Sequence, residues 1–530
     1  MPQQGPPEAD EGPEGAITTD PGLPGVLPQA AGQVVAAGET GRPPAARRAD
    51  WVPWLIALAV FGAYSTLSIS RYVRLAPGSW DLGIFTEDVK QLAHLRAPVV
   101  DIMGAGSNLL GVHFQPIVAL IAPFFRLAPS AVTLLLAQAL LTALSVIPVS
   151  RGATAKLGTA AGRMIAAAYG FSWGLQQMID FDFHEIAFAV PLLACSLSAL
   201  LRGKTRAAAL WAVPLVFVKE DQGFTVAAIG VMIMINARRS RIRAATDDSA
   251  PASSTRDADT GLFLMFWGIA WSLAAIAVII PHFNVAHQYP FWPDGGAISV
   301  GTGHHSTSGL LSQVTEGYRQ KLDTTALILL PVAFLALRSP LVLVAVPSLA
   351  LRFISTNSSF WGTAWHYNAT VMPIVFIAAI DVLARIGACR AAAGRVRRIL
   401  ATAAVRLIPV VMVAIAVVLA FRFPLDGLWK PRTYAIDQHV RVENEAMARV
   451  PDGTTAETTL TMLAPLAARA DTFWIGTSPN PAPQYIVFDD TDSGWSPEPQ
   501  NVLSFVESRH PGTRYRQIFL TDGVYVFRRS

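Results

Sequence analysis

Twelve apolar runs, separated by short polar or basic stretches, leave this 530-residue chain few folds to choose from. They lie at about 51–69, 114–127, 130–149, 163–179, 186–201, 207–218, 223–237, 261–281, 324–337, 340–355, 368–385 and 405–422. An apolar helix of about 20 residues crosses a hydrocarbon core about 30 Å thick. Composition agrees: 52% of residues are hydrophobic and 15% charged, where a soluble domain carries roughly 25% charged residues. This excludes a disordered scaffold, an ordinary cytosolic enzyme and a nucleic-acid-binding tail protein. It predicts an all-α polytopic membrane protein. The net charge of +4 then reflects cytoplasmic Lys and Arg rather than a nucleic-acid surface. The two cysteines, Cys195 and Cys389, form no CxxC pattern. They offer no disulfide framework or zinc site, so any metal would be held by carboxylates and histidines.

Residues 1–48 are rich in Pro, Gly and Ala and are expected to be disordered. They lack the basic n-region of a signal peptide. Arg47 and Arg48 precede the first run, which predicts a cytoplasmic N-terminus. Taking all twelve runs as spans would place Arg151, Lys156 and Arg163 outside. The run at 114–127 is short and contains Pro116 and Pro123. Read as a re-entrant or juxtamembrane helix, it leaves about eleven spans. Every basic cluster then falls inside: Arg202/Lys204/Arg206, Arg238/Arg239/Arg241/Arg243 and Arg390/Arg395/Arg397/Arg398. The stretch 244–260 reads as a polar, flexible loop. The expected domains are the N-terminus 1–48, a transmembrane domain 49–422 and a soluble extracytoplasmic α/β domain 423–530. In the last, Glu443 to Val450 reads as a helix and IVFDD at 486–490 as a buried strand end. Asp522-Gly523 reads as a hairpin turn.

The same topology gathers six polar clusters on the outer side. They are Trp80 to Asp88, Gly111 to Pro116, Asp180 to Glu185, Lys219 to Gly223, His304-His305, and Trp365 to Asn368. The run before Lys219-Glu220-Asp221 has twelve residues, a rise of about 18 Å. These three charges therefore lie at membrane depth, where they survive only when paired or in a wet cavity. Asp180-x-Asp182 with His184 and Glu185 has the close carboxylate spacing that suits a hard divalent cation. It also reads as a solvated loop. Asp81, flanked by Trp80 and Phe85, is a candidate general base because partial desolvation raises carboxylate basicity. Glu87 and Asp88 follow about two turns later. A plain interfacial helix would show the same pattern. His113, with Gln115 beside it, would bind phosphate or metal or shuttle protons, or serve a structural role as a lone histidine more often does. His366-Tyr367 would bind phosphate or stack on a sugar ring, or belong to an aromatic belt. His304-His305 reads as a flexible loop with a lid role open to it.

In order along the chain, WDLGIF at 80–85, GVHFQP at 111–116, DFHEIAF at 182–188, KEDQG at 219–223 and HYNA at 366–369 resemble the DUF2079 family of bacterial multi-span membrane proteins. That family is similar to the membrane-embedded GT-C glycosyltransferases. The resemblance implies a GT-C-like fold over residues 50–530, a polyprenyl-phosphate sugar as donor, and a soluble C-terminal domain outside. It implies that Asp81 is the acid of the first long outer loop. It also implies that Asp180, Asp182, Glu220 and Asp221 line the same cavity. One departure is plain: many GT-C enzymes carry D-x-D, E-x-D or D-D in that loop, whereas Asp81 stands alone.

The expectation is an inverting glycosyltransferase of the plasma (inner) membrane acting on an extracytoplasmic glycan, lipid or protein. Asp81, with Glu87 and Asp88, supplies the catalytic acids. His113, Gln115, His184, Lys219, Glu220, Asp221, His366 and Tyr367 bind substrate and its phosphate. Asp180, Asp182 and Glu185 are expected to hold a divalent metal, Mg or Mn. No nucleic acid takes part. The rival readings are a transporter or flippase of a lipid-linked or small polar substrate, and a non-catalytic assembly protein docking through its C-terminal domain.

Overall fold

The structure is a computed structural model that describes residues 50–246, 255–291, 315–389, 394–477, 479–492 and 501–530. The N-terminal segment 1–49, His304-His305 and Arg390 lie outside the described residues.

Among the described residues, five helices are long and apolar enough to cross a membrane. They are α1 (Val52–Val73), α4 (Ala131–Leu157), the span Thr255–Phe283, the span His366–Ala388 and Arg395–Ala420. Between the first two lie α2 (Asp81–Ala93) and α3 (Ala122–Leu127). Next come α5 (Thr159–Gly170), α6 (Trp173–Asp180), α7 (Ala189–Leu201), α8 (Thr205–Ala212) and α9 (Gln222–Thr246). Helix α10 (Thr255–Ala274) passes through a π-turn at Ala275–Ile279 into α11 (Ile280–Phe283). The transmembrane part continues with α12 (Tyr318–Leu329), α13 (Val346–Ile354), α14 (Val371–Ala388) and α15 (Arg395–Ala420).

Several apolar runs are broken where the sequence suggested one rod. The run at 163–179 is not a single helix: α5 ends at Gly170, and Phe171-Ser172 separate it from α6. Prolines explain others. Pro214, Pro331 and Pro340 each open a 3₁₀ turn, because a proline has no N–H to continue the α ladder. The apolar helices Pro116–Leu127, Glu185–Leu201, Thr205–Phe217 and Pro340–Ile354 are therefore short. Residues 244–246 and 255–260, read as loop, are helical ends of α9 and α10. Here amphipathic ends outlast the apolar stretch.

Close packing of α9 on α10 rests on glycine. A Cβ on Gly223 would sit 2.2 Å from the Gly268 carbonyl oxygen, and one on Gly230 would sit 2.5 Å from that of Gly261. Only small residues let two membrane helices approach so closely. This contact brings the N-terminal end of α9 against α10, where Ser272 Oγ donates to the Glu220 carbonyl at 2.6 Å. Helix α14 is the most enclosed of the five spans.

After α15, Pro424–Trp429 and Pro431–Thr433 form 3₁₀ turns. Leu425 is buried, and its N–H donates to Gln176 Oε1 at 3.1 Å. The C-terminal part then folds as α16 (Gln438–Met447), β1 (Thr455–Thr458), α17 (Leu463–Ala467), β2 (Asp471–Trp474), β3 (Tyr485–Asp489), α18 (Val502–Arg509), β4 (Tyr515–Thr521) and β5 (Val524–Arg529). The strand order is β2-β1-β3-β5-β4. Strand β1 is parallel to β2 and β3, while β5 is antiparallel to β3 and β4. The β4–β5 hairpin turns at Asp522-Gly523, both at positive φ (49° and 75°), as a two-residue primed turn requires. The first helix starts and stops earlier than the expected Glu443 to Val450, because the Asp437 carboxylate caps it at the Val440 N–H. Helix α16 covers the sheet face that carries Ala456, Val487 and Val526. Helix α18 covers the face of Ile486, Phe488 and Phe527. Leu463 and Ala467 of α17 pack on Ile84, Val100 and Ile102, so the C-terminal part seats on α2. Trp80 and Trp474 meet edge to face there, with ring centroids 4.7 Å apart.

Candidate functional site

Asp81 is the first residue of α2, where a carboxylate faces the positive end of the helix dipole. It makes a reciprocal turn with Ser79. The Ser79 hydroxyl donates to Asp81 Oδ2, and the Asp81 N–H donates to Ser79 Oγ at 3.0 Å. His184 Nε2 stands 3.5 Å from Oδ2, and the Asp81 side chain keeps 27% of its surface exposed. Burial pushes its pKa up, but the hydrogen bond and charge of His184, the Ser79 hydroxyl and the Lys219 charge outweigh this. The carboxyl is held below its ordinary value.

His184 is set by a side chain from an apolar helix. Gln138 of α4 donates through Nε2 to the carbonyls of Met178 and Asp182, and its Oε1 accepts the His184 N–H at 3.0 Å. One buried amide thus fixes the turn 178–184 from three sides. Asp182 sits in that turn at φ 56°, a conformation Asp tolerates better than most residues. Its carboxylate accepts the Gly78 N–H at 2.6 Å, which holds the loop leading to Ser79 and Asp81. Gly78 leaves no room for more: an added Cβ would lie 2.8 Å from the Phe181 ring. The rings then stack. Phe181 lies on His184 at 4.9 Å, His184 on His366 at 3.8 Å, and His366 meets Tyr367 at 4.2 Å. The Nδ1 atoms of His184 and His366 are both buried and have no hydrogen-bond partner. Such atoms are rare in folded proteins and ask for a partner.

The charged run after α8 joins the same group. Lys219 Nζ donates to Glu185 Oε1 at 2.9 Å. Glu220 accepts from His113 Nδ1 (2.9 Å), the Phe114 N–H (3.2 Å) and the Tyr289 hydroxyl (3.2 Å). Asp221 accepts from Gln222 Nε2 at 3.3 Å. Gln115 is buried, and neither amide atom has a partner. Asp81, His184, His366 and Tyr367 are thus linked ring by ring and bond by bond. His184 and Glu185 are chain neighbours, which continues the group to Lys219, Glu220 and His113.

Glu87 and Asp88 stand apart. At about 100° per residue, Glu87 is rotated about 120° from Asp81 around α2. Glu87 Oε2 accepts the Ile102 N–H at 3.2 Å, beneath the C-terminal part. Asp88 returns to the face of Asp81 but about 10 Å farther along the axis. Burial raises the Glu87 carboxyl to about 8 and the Asp88 carboxyl to about 7. The carboxylates expected to share a metal also part. Asp180 pairs with Arg71 at 3.1 Å, Asp182 takes the Gly78 N–H, and Glu185 takes Lys219. Each has its own protein partner, so this donor set does not fit a shared divalent cation. Among the described residues, His, Cys, Asp and Glu come within ligand distance as a group of three at His439, Glu443 and Asp489 only.

Three residues escaped the sequence reading: Ser79, Gln138 and Arg352. The buried Arg352 guanidinium donates to the carbonyls of Phe360, Gly362 and Tyr367 and to Asn368 Oδ1, at 2.9–3.3 Å. It holds the loop that delivers His366. A lone polar residue inside an apolar run was the available signal for both Gln138 and Arg352.

In α9 and in the span His366–Ala388 a site residue and a basic residue stand at opposite ends, whereas Arg71 and Arg352 lie at the site end. In α9, Arg238 lies about 24 Å along the axis from the start beside Glu220. In the span His366–Ala388, Arg385 lies about 28 Å from His366.

Over residues 71–526 the sequence matches the family described as a predicted membrane protein, DUF2079. The chain belongs to that family. No curated protein matches the sequence. Among solved structures, the chain is similar to ArnT from Cupriavidus metallidurans bound to undecaprenyl phosphate. Identity is 13%, the match covers 90% of this chain and 98% of that one, and the TM-score is 0.50. The oligosaccharyltransferase of Archaeoglobus fulgidus, in the apo form, is a looser likeness at 12% identity and TM-score 0.39, covering 82% of this chain and 69% of that one. The likeness to ArnT, a GT-C-type glycosyltransferase, makes the overall fold GT-C-like.

Proposed function

We propose that this DUF2079 member is a membrane glycosyltransferase of the GT-C type. It takes a sugar from a polyprenyl phosphate and passes it to an acceptor hydroxyl on the extracytoplasmic side of the plasma membrane. The observation that carries the reading is the meeting of Asp81 with His184, His366 and the Lys219–Glu185 pair at one end of the bundle, in a GT-C-like fold.

In this reading Asp81, ionised at neutral pH and partly open, accepts the proton of the acceptor hydroxyl. The hydroxyl oxygen attacks the anomeric carbon from the face opposite the phosphate, so configuration inverts. The bond from that carbon to the phosphate oxygen breaks, and polyprenyl phosphate leaves. Lys219 and His113 offset the phosphate charge. The unpartnered Nδ1 atoms of His184 and His366 and the Gln115 amide are the free hydrogen-bonding groups for phosphate and sugar oxygens. Electrostatic help of this kind is worth several kcal/mol of barrier, about 3 for a single donor. Asp180, Asp182 and Glu185 are each taken by a protein partner of their own and do not fit a shared metal.

The test is transfer by purified protein from a panel of radiolabelled polyprenyl-phosphate sugars. Asp81→Asn should abolish transfer while membrane insertion is kept. Transfer that survives the change removes Asp81 as the base. Flux of a substrate into proteoliposomes with no transfer would favour a transporter instead.

A further inference from the structure

We propose that the soluble domain holds one divalent transition-metal ion, zinc by its chemistry, on His439, Glu443 and Asp489. His439 and Glu443 are four residues apart and share one face of α16. Asp489 ends β3. One ligand atom from each lies within 4.8 Å of the others. His439 Nε2 is already 3.0 Å from Asp489 Oδ2. Ligands at about 2.0–2.2 Å around a tetrahedral ion stand about 3.3–3.6 Å apart, so a small closing of Glu443 completes three of four positions.

The surroundings prepare each ligand. Asp522, in the hairpin turn, lies 3.2 Å from His439 Nδ1. A carboxylate there keeps the proton on Nδ1 and offers Nε2 as the donor, the arrangement typical of metal-bound histidines. Thr491 donates through its N–H and hydroxyl to Asp489 Oδ1, at 2.9 and 2.8 Å, which leaves Oδ2 for the ion. Thr491 Oγ1 also lies 3.2 Å from His439 Nε2. The Thr461 hydroxyl donates to Glu443 Oε1 at 2.5 Å, leaving the second oxygen. Among the described residues, no Lys or Arg pairs with Glu443, Asp489 or Asp522. Three carboxylates against one imidazole leave a deficit of positive charge that a dication fills.

A separate observation points to a fourth position. Thr458 is wholly buried, and its hydroxyl has no partner. It is paired with Val487 across the β1–β3 ladder, so it emerges from the same sheet face as Asp489, the face covered by α16. A water completing the metal's shell would satisfy it. The cluster also lies at the carboxyl ends of the parallel strands β1 and β3, where open α/β sheets place their ligands. His439 keeps 28% of its side chain exposed, which gives an entry path. A nitrogen with two carboxylate oxygens suits zinc and tolerates cobalt. The ion would pin α16, the first helix after the membrane, to β3 and the β4–β5 turn.

The experiment uses the full chain purified in detergent, stripped with chelator and titrated with Zn²⁺ and with Co²⁺. The expected result is about one ion bound per chain, with the visible d–d bands of a tetrahedral cobalt site. Asp522→Asn should bind about 10–100-fold more weakly, and Glu443→Gln should lose the cobalt bands while keeping the fold by circular dichroism. The proposal falls if the unaltered protein takes up no stoichiometric zinc, or if His439→Ala binds it as tightly as the parent. Because the cobalt spectrum is read on the unaltered chain, a variant that fails to fold leaves the test intact.

Discussion

Replacing Arg352 by leucine removes a buried cation that ties together four acceptors on either side of His366. Hydrogen bonds from a charged donor contribute about 1.5–3 kcal/mol each. The cost of burying the guanidinium offsets much of the sum, and breaking such a network costs about 3–5 kcal/mol. Taking the lower end, about 3 kcal/mol, local opening becomes more frequent by about two powers of ten, at about 1.4 kcal/mol per factor of ten. Amides of residues 355–368 should then exchange with deuterium about 100-fold faster. Arg352→Lys keeps the charge but brings donors from one point only, so it should recover part of the protection, with exchange about 10-fold faster than in the parent. Peptide-level hydrogen exchange of the protein in nanodiscs reads this directly. Exchange in Arg352→Leu within about twofold of the parent would show that the loop is held by other contacts. It would also show that Arg352 does not position His366.

Three further outcomes follow from the same geometry. Asp182→Asn weakens a charge-assisted bond to Gly78 worth about 1.5–3 kcal/mol; donor KM and turnover should both worsen, and restoring Asp should rescue both. Glu87 has its carboxyl raised to about 8, so the folded state holds a proton that the unfolded state loses near 4.5. Its contribution to stability should therefore fall as pH rises between those values; a thermal-shift series from pH 5 to about 8.5 should flatten in Glu87→Gln. Asp81 is shifted the other way, so the acid limb of a transfer-rate profile should lie below the ordinary Asp range, and His184→Phe should move it upward.

Much of the site was legible because its motifs are rich in polar groups that a membrane segment does not carry without cause. Lys219-Glu220-Asp221, at the end of a run too short to span, had to be paired, and Glu185 and His113 are the partners. The hairpin at Asp522-Gly523 was legible because positive φ at both positions needs such residues. The pairing of Asp180 with Asp182 was misleading for a local reason. The helix α6 ends between them and the chain turns into the left-handed region at Asp182, so two acids two residues apart point to Arg71 and to Gly78. Proximity in sequence also misplaced Glu87, since helical rotation sends it under the C-terminal part. Gln138 acts through contacts distant in sequence, and its spacing carries no periodic signal.

Sidedness underlies the whole account, and labelling with a membrane-impermeant maleimide measures it. Leu95, just past α2, is 91% exposed, so Leu95→Cys marks the end of the molecule that carries Asp81. The native Cys389, exposed beside the basic residues after α14, marks the other end. In intact cells the account predicts labelling at position 95 and none at Cys389, with the reverse in inside-out vesicles. Labelling of both positions from one side, or of Cys389 alone in intact cells, would contradict it.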